Sequence, residues 1–414
     1  MQRTAAVAVW LVTRAAVLWL LHGRDAWVTG DVGYYAESLG HLHERGIGGT
    51  LVEYPLLGVL LVAVPWLLAT AVGHAAAYPE TLMLLALVTD GVYAVLLHRL
   101  SGRHRAAAVW AWVLGVPLLG ATAYARFDLV PGVLSGLAVL LLVRRPGVAA
   151  ASVAVAAGAK LWPALVVPGL AAPTRTRRRV VLVAAVTAVV LAVAGLVAGG
   201  WHRLVSPLVW QSQRGLQIES VAAVPAMVGW VVDPAAWRVG YAASHAYEVT
   251  GPGVPLLLAG TRAATLAVAA AMLATWVRAW RHGRTVGVEA AVWTSLAAVA
   301  GFVVSSRVLS PQYLLWLLPL AAAGLGAVRG RGHRRLARWT GWLLVATALT
   351  QMEFPLLYAG LTAHRPWSAW PVLVLAARNV VLVGLFVGAL RAAWAVAGEG
   401  ESARHAAGAP PARA

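Results

Sequence analysis

The sequence predicts an all-α polytopic integral membrane protein of about 11–13 transmembrane helices. Three observations carry that expectation. First, its 414 residues are 60% hydrophobic and 12% charged, with a mean hydropathy of +0.75, more apolar surface than a soluble domain can bury. Second, apolar stretches of about 17–25 residues, long enough to span a bilayer as helices, recur along the chain. The short alternating segments of a membrane barrel do not occur. Third, arginines gather between the apolar stretches, at Arg175–Arg179, Arg278–Arg284, Arg329–Arg338 and from Arg391 onward. Clusters so placed are the positive-inside signature of cytoplasmic loops. The formal charge of +18 is therefore a matter of topology, and no nucleic-acid partner is expected.

In chain order, the apolar spans fall at about 5–21, 51–73, 81–98, 106–123, 129–143, 147–172, 180–199, 254–276, 287–305, 312–327, 339–358 and 371–394. The first has no A-x-A cleavage site behind it and reads as a retained span, not a removed signal peptide. With both termini in the cytoplasm, these spans place the strong basic clusters inside. The loops Arg99–Arg105 and Arg144-Arg145 then fall outside, against the rule, unless a segment is re-entrant or broken. Gly158-Ala159-Lys160-Leu161-Trp162-Pro163 is a natural break, because proline removes a backbone donor and clashes with the preceding turn. Residues 1–398 are expected to form one transmembrane domain with two long outward loops, about 22–50 and 200–253. The tail 399–414 is expected to be disordered and cytoplasmic. Trp201, Trp237 and Trp367 stand near span ends, where tryptophan anchors a helix in the interface. With no cysteine, disulfides and cysteine nucleophiles are excluded.

Acidic residues are scarce, which makes their placement informative. Of 15, five (Asp25, Asp31, Glu37, Glu44 and Glu53) lie between the first two apolar spans. In Gly30-Asp31-Val32-Gly33-Tyr34-Tyr35, Asp31 is the leading candidate for a catalytic base. A carboxylate at the membrane–water boundary can take the proton of an attacking hydroxyl. The competing reading is that Asp31 only caps a short helix begun at Val32. Tyr34 and Tyr35 can stack on a sugar or lie at the headgroups. Glu53 and Tyr54 precede Pro55, where the chain re-enters the membrane. Proline is ordinary there, whereas an acid needs solvation, an arginine partner or substrate hydroxyls.

Four charges fall inside predicted spans: Arg14, Asp90, Lys160 and Arg378. Each costs a few kcal/mol at the bilayer centre unless it is paired or faces water. Pairing of Arg14 or Arg378 with Asp90 is one reading, and a substrate path is the other. In Arg126-Phe127-Asp128 the two charges face apart if the segment is helical and the same way if it is extended. The second loop joins Arg214 to the Gln217 amide and the Glu219 carboxylate, and Ser305–Tyr313 adds Arg307, Gln312 and Tyr313. Arginine's planar fork suits phosphate oxygens, although Arg307 can equally snorkel to the interface. Outward arginines beside outward carboxylates fit a phosphate-bearing donor and a hydroxyl acceptor.

The glycine-rich phosphate loop of ATPases is missing, as are H-E-x-x-H and the second acid of a D-x-D motif. Neither a cofactor nor a metal is therefore expected, and a substrate already activated on a lipid carrier needs neither. Taken in order, Asp31 with Tyr34-Tyr35, Glu53-Tyr54-Pro55, Arg126-Phe127-Asp128, Gly158 to Pro163, Arg214 to Ser220 and Ser310-Pro311-Gln312-Tyr313 resemble a known family. They look like the actinobacterial polytopic mannosyltransferases of glycosyltransferase family 87, in the GT-C superfamily, over roughly residues 5–390.

The resemblance implies a GT-C helical bundle in the plasma membrane. Such an enzyme takes a sugar, typically mannose, from a polyprenyl phosphate on the extracytoplasmic side and gives it to a glycolipid or glycan. It places Asp31 at the position of the base, and Arg126, Lys160, Arg214 and Arg307 where the lipid-linked phosphate is bound. Tyr34, Tyr35, Glu53, Tyr54, Asp128, Glu219, Gln312 and Tyr313 complete the candidate substrate-binding set. Leu56 replaces a second proline common in the family, and Arg307 replaces a common lysine; both departures bear on donor and acceptor identity, not on the fold. The alternatives are a lipid or glycan transporter or flippase, using the intramembrane charges as a path, and a non-catalytic assembly subunit. Acids crowded at one mouth and a single clear helix break favour the enzyme.

Overall fold

Runs of Ala, Val and Leu form helices in an apolar medium because only a helix satisfies its own backbone there. The computed structural model describes residues 2–172, 174–281 and 287–398, so Arg284 and the tail 399–414 lie outside the described residues. Among the described residues, seven helices are long and apolar enough to cross a membrane. They are Thr4–Leu21, Ala75–Leu100, Arg105–Ala123, Arg175–Gln213, Val254–Ala279, Val288–Ser305 and Ala369–Gly398. Shorter helices fill most of the other predicted positions, Leu56–Ala71, Leu129–Leu141, Pro146–Ala159 and Leu314–Ala327, and the 22-residue but more polar Gly330–Gln351 fills the last. The protein is an all-α polytopic membrane protein.

Two spans differ from expectation, and together they resolve the misplaced arginines. The helix Leu56–Ala71 does not carry the chain across. Tyr78 donates its hydroxyl to Val62 O at 3.3 Å and Thr81 donates to Pro65 O at 3.1 Å, so the chain turns back beside that helix. The helix Gly30–Gly40 of the first loop touches both Leu56–Ala71 and Tyr78–Leu100. Tyr78–Leu100 thus starts at the first-loop end and runs to the other. The predicted span 147–172, conversely, is broken in two. Pro146–Ala159 stops at Lys160, which is extended (φ −152°, ψ 137°), and the chain returns through the turn Trp162–Val166 and the short helix Val167–Leu170. Consequently Gly102 N donates to Gly326 O at 3.1 Å, His104 stacks on His333 at 3.6 Å, and Gly147 lies against Arg179. Arg99–Arg105 and Arg144-Arg145 therefore join the other clusters at one basic end, opposite the two long loops.

Lipid is as apolar as leucine, so close packing and interhelical hydrogen bonds hold these helices together. Val288–Ser305 and Leu314–Ala327 form the centre, with almost every residue buried. At Gly132 on Leu129–Leu141, a side chain would collide with the Leu315 carbonyl, so glycine sets that close crossing. Tyr93 donates to Pro319 O at 2.7 Å and Trp339 Nε1 to Leu385 O at 2.8 Å. The outer helices face lipid: Val189 is 61% exposed and Leu266 71%.

The second loop is more ordered than its composition suggests. The helix of the seventh predicted span continues to Gln213 past a kink at Gly200 (φ +69°), a conformation cheap only for glycine. After the helix Val224–Val232 comes an antiparallel hairpin, β1 (Arg238–Ala242) and β2 (Ala246–Thr250), with Tyr241 opposite Tyr247.

Candidate active site

Asp31 lies in the first turn of Gly30–Gly40, whose N-cap is Thr29. It does not act as the cap. Its Oδ2 instead lies 2.8 Å from Arg126 Nε, with the two side chains 36% and 10% exposed. The Nε–H is not aligned on that oxygen, so the contact is ionic and not a directed hydrogen bond. Arg126 is fixed from behind: Nη1 donates to Val28 O and Ala125 O, both at 2.9 Å. A single guanidinium thereby ties the first loop to the turn between two membrane helices.

Asp128, only two residues on, looks elsewhere, because the segment is a turn, neither helix nor strand. It accepts from Lys160 Nζ at 2.6 Å and from Trp316 Nε1 at 2.8 Å. The Lys160 ammonium also sits 5.2 Å from the Phe127 ring centroid and 5.7 Å from those of Tyr54 and Trp316. That aromatic box offsets the loss of water around the cation. The extended residue at the helix break is what swings Lys160 into it.

Tyr35 is fully buried, its hydroxyl 3.4 Å from that of Tyr54, so it is floor and presents no face to a sugar. Tyr34 is partly exposed and its ring lies 4.5 Å from His245. Burial, then the neighbouring Glu53 carboxylate, pushes the Tyr34 hydroxyl up, so it stays a neutral donor. The strip carrying Glu53 and Tyr54 is pinned by Arg203, which donates to Thr50 O at 2.8 Å and to Leu51 O and Tyr54 O at 3.0 Å.

Glu53 is also raised above the usual carboxylate range, chiefly by burial, with Tyr34, His245 and Arg203 pulling it back. A raised folded-state value means that the native protein holds this proton more tightly than the unfolded chain. Glu53 therefore contributes stability that is complete below about pH 4.3 and is lost as the pH rises through the folded value. Thermal unfolding in detergent should show the gap between wild type and Glu53→Gln changing across that acidic window, with the wild type losing ground as pH rises. A pH-independent gap would refute the assignment.

The second loop supplies the opposite wall. Gln217 N donates to Arg307 O at 3.1 Å, and Gln217 Nε2 to Glu219 Oε2 at 2.6 Å and Ser310 Oγ at 3.2 Å. Arg307 donates to Arg214 O at 3.0 Å, so its guanidinium is engaged in fixing this loop. Two polar atoms here are buried without a hydrogen-bond partner, Arg214 Nε and Glu219 Oε1. Burial, and next the nearby Glu353 carboxylate, drives Glu219 well above the usual range, against the pull of Arg378, Arg126 and Arg214. Gln312 is half-buried, and Tyr313 stacks on Trp316 at 3.7 Å, joining this wall to the Lys160 box.

Several participants were not singled out by sequence reasoning. Tyr241, His245 and Tyr247 of the hairpin, with Tyr358, Phe354 and Trp27, make a chain of ring contacts that ends on Tyr34. The β-branched and aromatic residues of Ala246-Tyr247-Glu248-Val249-Thr250, ahead of Gly251-Pro252, were a signal for one of its strands. Arg203 and Trp316 carried none. The intramembrane charges, in turn, are paired: Arg14 Nε with Asp90 Oδ2 at 2.8 Å, and Arg378 Nη2 with Glu353 Oε2 at 2.9 Å. The expected choice of Asp90 as partner thus holds for Arg14 and not for Arg378.

The family model described as Glycosyltransferase family 87 matches residues 51–311, more than half of the chain. The chain belongs to glycosyltransferase family 87. No curated protein and no solved structure matches it. This family 87 glycosyltransferase therefore handles a sugar donor and an acceptor within a membrane bundle. The match includes Glu53, Tyr54, Arg126, Asp128, Lys160, Arg214, Glu219 and Arg307. It starts after Asp31, Tyr34 and Tyr35 and stops short of Gln312 and Tyr313, a narrower reach than the resemblance over 5–390.

Proposed function

We infer that this enzyme transfers a hexose, namely mannose, from a polyprenyl phosphate to a hydroxyl of a glycolipid or glycan. The reading rests on one juxtaposition: a partly exposed carboxylate, Asp31, touching a guanidinium that is anchored at its back, with Lys160 and Arg214 in the adjoining walls. The positive-inside rule supports a basic end in the cytoplasm, which puts Asp31 on the extracytoplasmic side of the plasma membrane.

In the proposed step Asp31 accepts the acceptor's hydroxyl proton as that oxygen forms its bond to the anomeric carbon. The bond from that carbon to the phosphate oxygen breaks on the opposite face, and the polyprenyl phosphate leaves with the electron pair. Configuration inverts. In the free enzyme Arg126 occupies an Asp31 oxygen; a donor phosphate competes for the guanidinium and frees the carboxylate to face the acceptor. Arg126 and Arg214 then meet the charge developing on the leaving group. The unpartnered Glu219 Oε1 suits a sugar hydroxyl, and the aromatic rim suits sugar faces. The paired state of Arg14, Asp90, Glu353 and Arg378 removes the motive for a transport path.

Purified protein incubated with radiolabelled polyprenyl-phosphate-mannose and a lipid extract should yield a labelled glycolipid, and labelled nucleotide-mannose alone should not. Label recovered only in unchanged donor would overturn the enzymatic reading in favour of a carrier.

A further inference from the structure

At the basic end, far from Asp31, three helices line an open groove of about 650 Å³ that the transfer does not use. Its walls are one face each of Gln2–Leu21, Tyr78–Leu100 and Arg105–Leu119, through residues three and four apart such as Gly91, Ala94, Val95 and His98. We propose that this groove binds a phospholipid with an anionic headgroup, an acyl chain lying against Trp10, Ala94 and Val109 and the phosphate held between Arg99 and Arg105.

Two features point to that occupant. The volume falls within the range of ligand pockets, about 300–1,000 Å³, and the lining is mostly apolar. Arg99 and Arg105 at the mouth are exposed, and neither has a carboxylate partner among the described residues, whereas Arg14 beneath the groove is taken by Asp90.

Depth agrees with charge. Arg99 lies nine positions beyond Asp90 on one helix, or about 13 Å at ~1.5 Å per residue, close to half of a ~30 Å hydrocarbon core. An arginine at that level meets headgroup phosphates. The groove is also built before any lipid arrives: Arg14 bridges Asp90 and Val113 O, the latter at 2.6 Å, stapling all three wall helices together. A lipid phosphate at this mouth is on the opposite face from Arg126, which argues for a bilayer lipid and against the donor.

The test is native mass spectrometry of the full chain in detergent with added dioleoylphosphatidylglycerol or dioleoylphosphatidylcholine. The wild type should retain the anionic lipid more than the zwitterionic one by on the order of tenfold. Arg99→Gln with Arg105→Gln should abolish the preference, and Ala94→Phe should lower retention of both lipids. All variants should keep detergent-phase transfer activity, which separates this site from the catalytic one. Equal retention of both lipids by the wild type, a preference that survives the double substitution, or displacement of phosphatidylglycerol by polyprenyl phosphate at equal concentration would each overturn the proposal.

Discussion

Asp31→Asn is expected to lower kcat by about 10²–10⁴-fold, the range that a positioned general base contributes. The substitution keeps shape and removes the charge and the proton acceptor. Asp31 is 36% exposed and its contact with Arg126 is one of several that this arginine makes, so the variant should fold with near-normal thermal stability. Donor binding separates catalysis from damage. Because Asp31 and the donor phosphate compete for Arg126, removing the carboxylate should leave the donor KM unchanged or lower it while kcat collapses. A merely structural aspartate would move KM upward and kcat little. Turnover by Asp31→Asn within a few fold of the wild type would end its assignment as base, and the Arg126 handover with it.

The helices were legible because uninterrupted apolar runs have one solution in a bilayer, and the break at Lys160 because Pro163 forbids a continuous helix. Crossing was less legible. Leu56–Ala71 has the composition of a membrane span, and only the return of Tyr78 and Thr81 beside it shows that the chain doubles back. The two misplaced arginine loops were the trace of that in the sequence. Within the site, residue type was readable and partnership was not. Asp31 and Arg126 are almost a hundred positions apart, and nothing local tells Arg126 to choose Asp31 over Asp128. Arg203 was hidden for a different reason: it follows Gly200 in a stretch that reads as loop, and all its hydrogen bonds go to backbone carbonyls. Arg307, read as a phosphate ligand, turned out to hold the Arg214 carbonyl in the same manner.

Arg14→Met should cost about 3–5 kcal/mol of stability, because it leaves the Asp90 carboxylate buried without its cation. Both side chains are almost wholly enclosed, at 2% and 0% exposure, and Arg14 reaches Asp90 through Nε at 2.8 Å and Nη2 at 3.1 Å. Breaking such a pair costs far more than forming it gains, so Arg14→Met/Asp90→Leu should recover most of the loss. Denaturant unfolding in one fixed detergent would measure both. The pair also governs chemistry at a distance. Asp90 accepts the Tyr124 hydroxyl, and Tyr124 begins the turn that delivers Arg126 to Asp31 and Asp128 to Lys160. A strained Asp90 should therefore depress transfer activity in Arg14→Met, and the double variant should restore stability more fully than activity, since Tyr124 stays without its acceptor. A single substitution that costs under about 1 kcal/mol would mean that water reaches Asp90 and the helices are not stapled there.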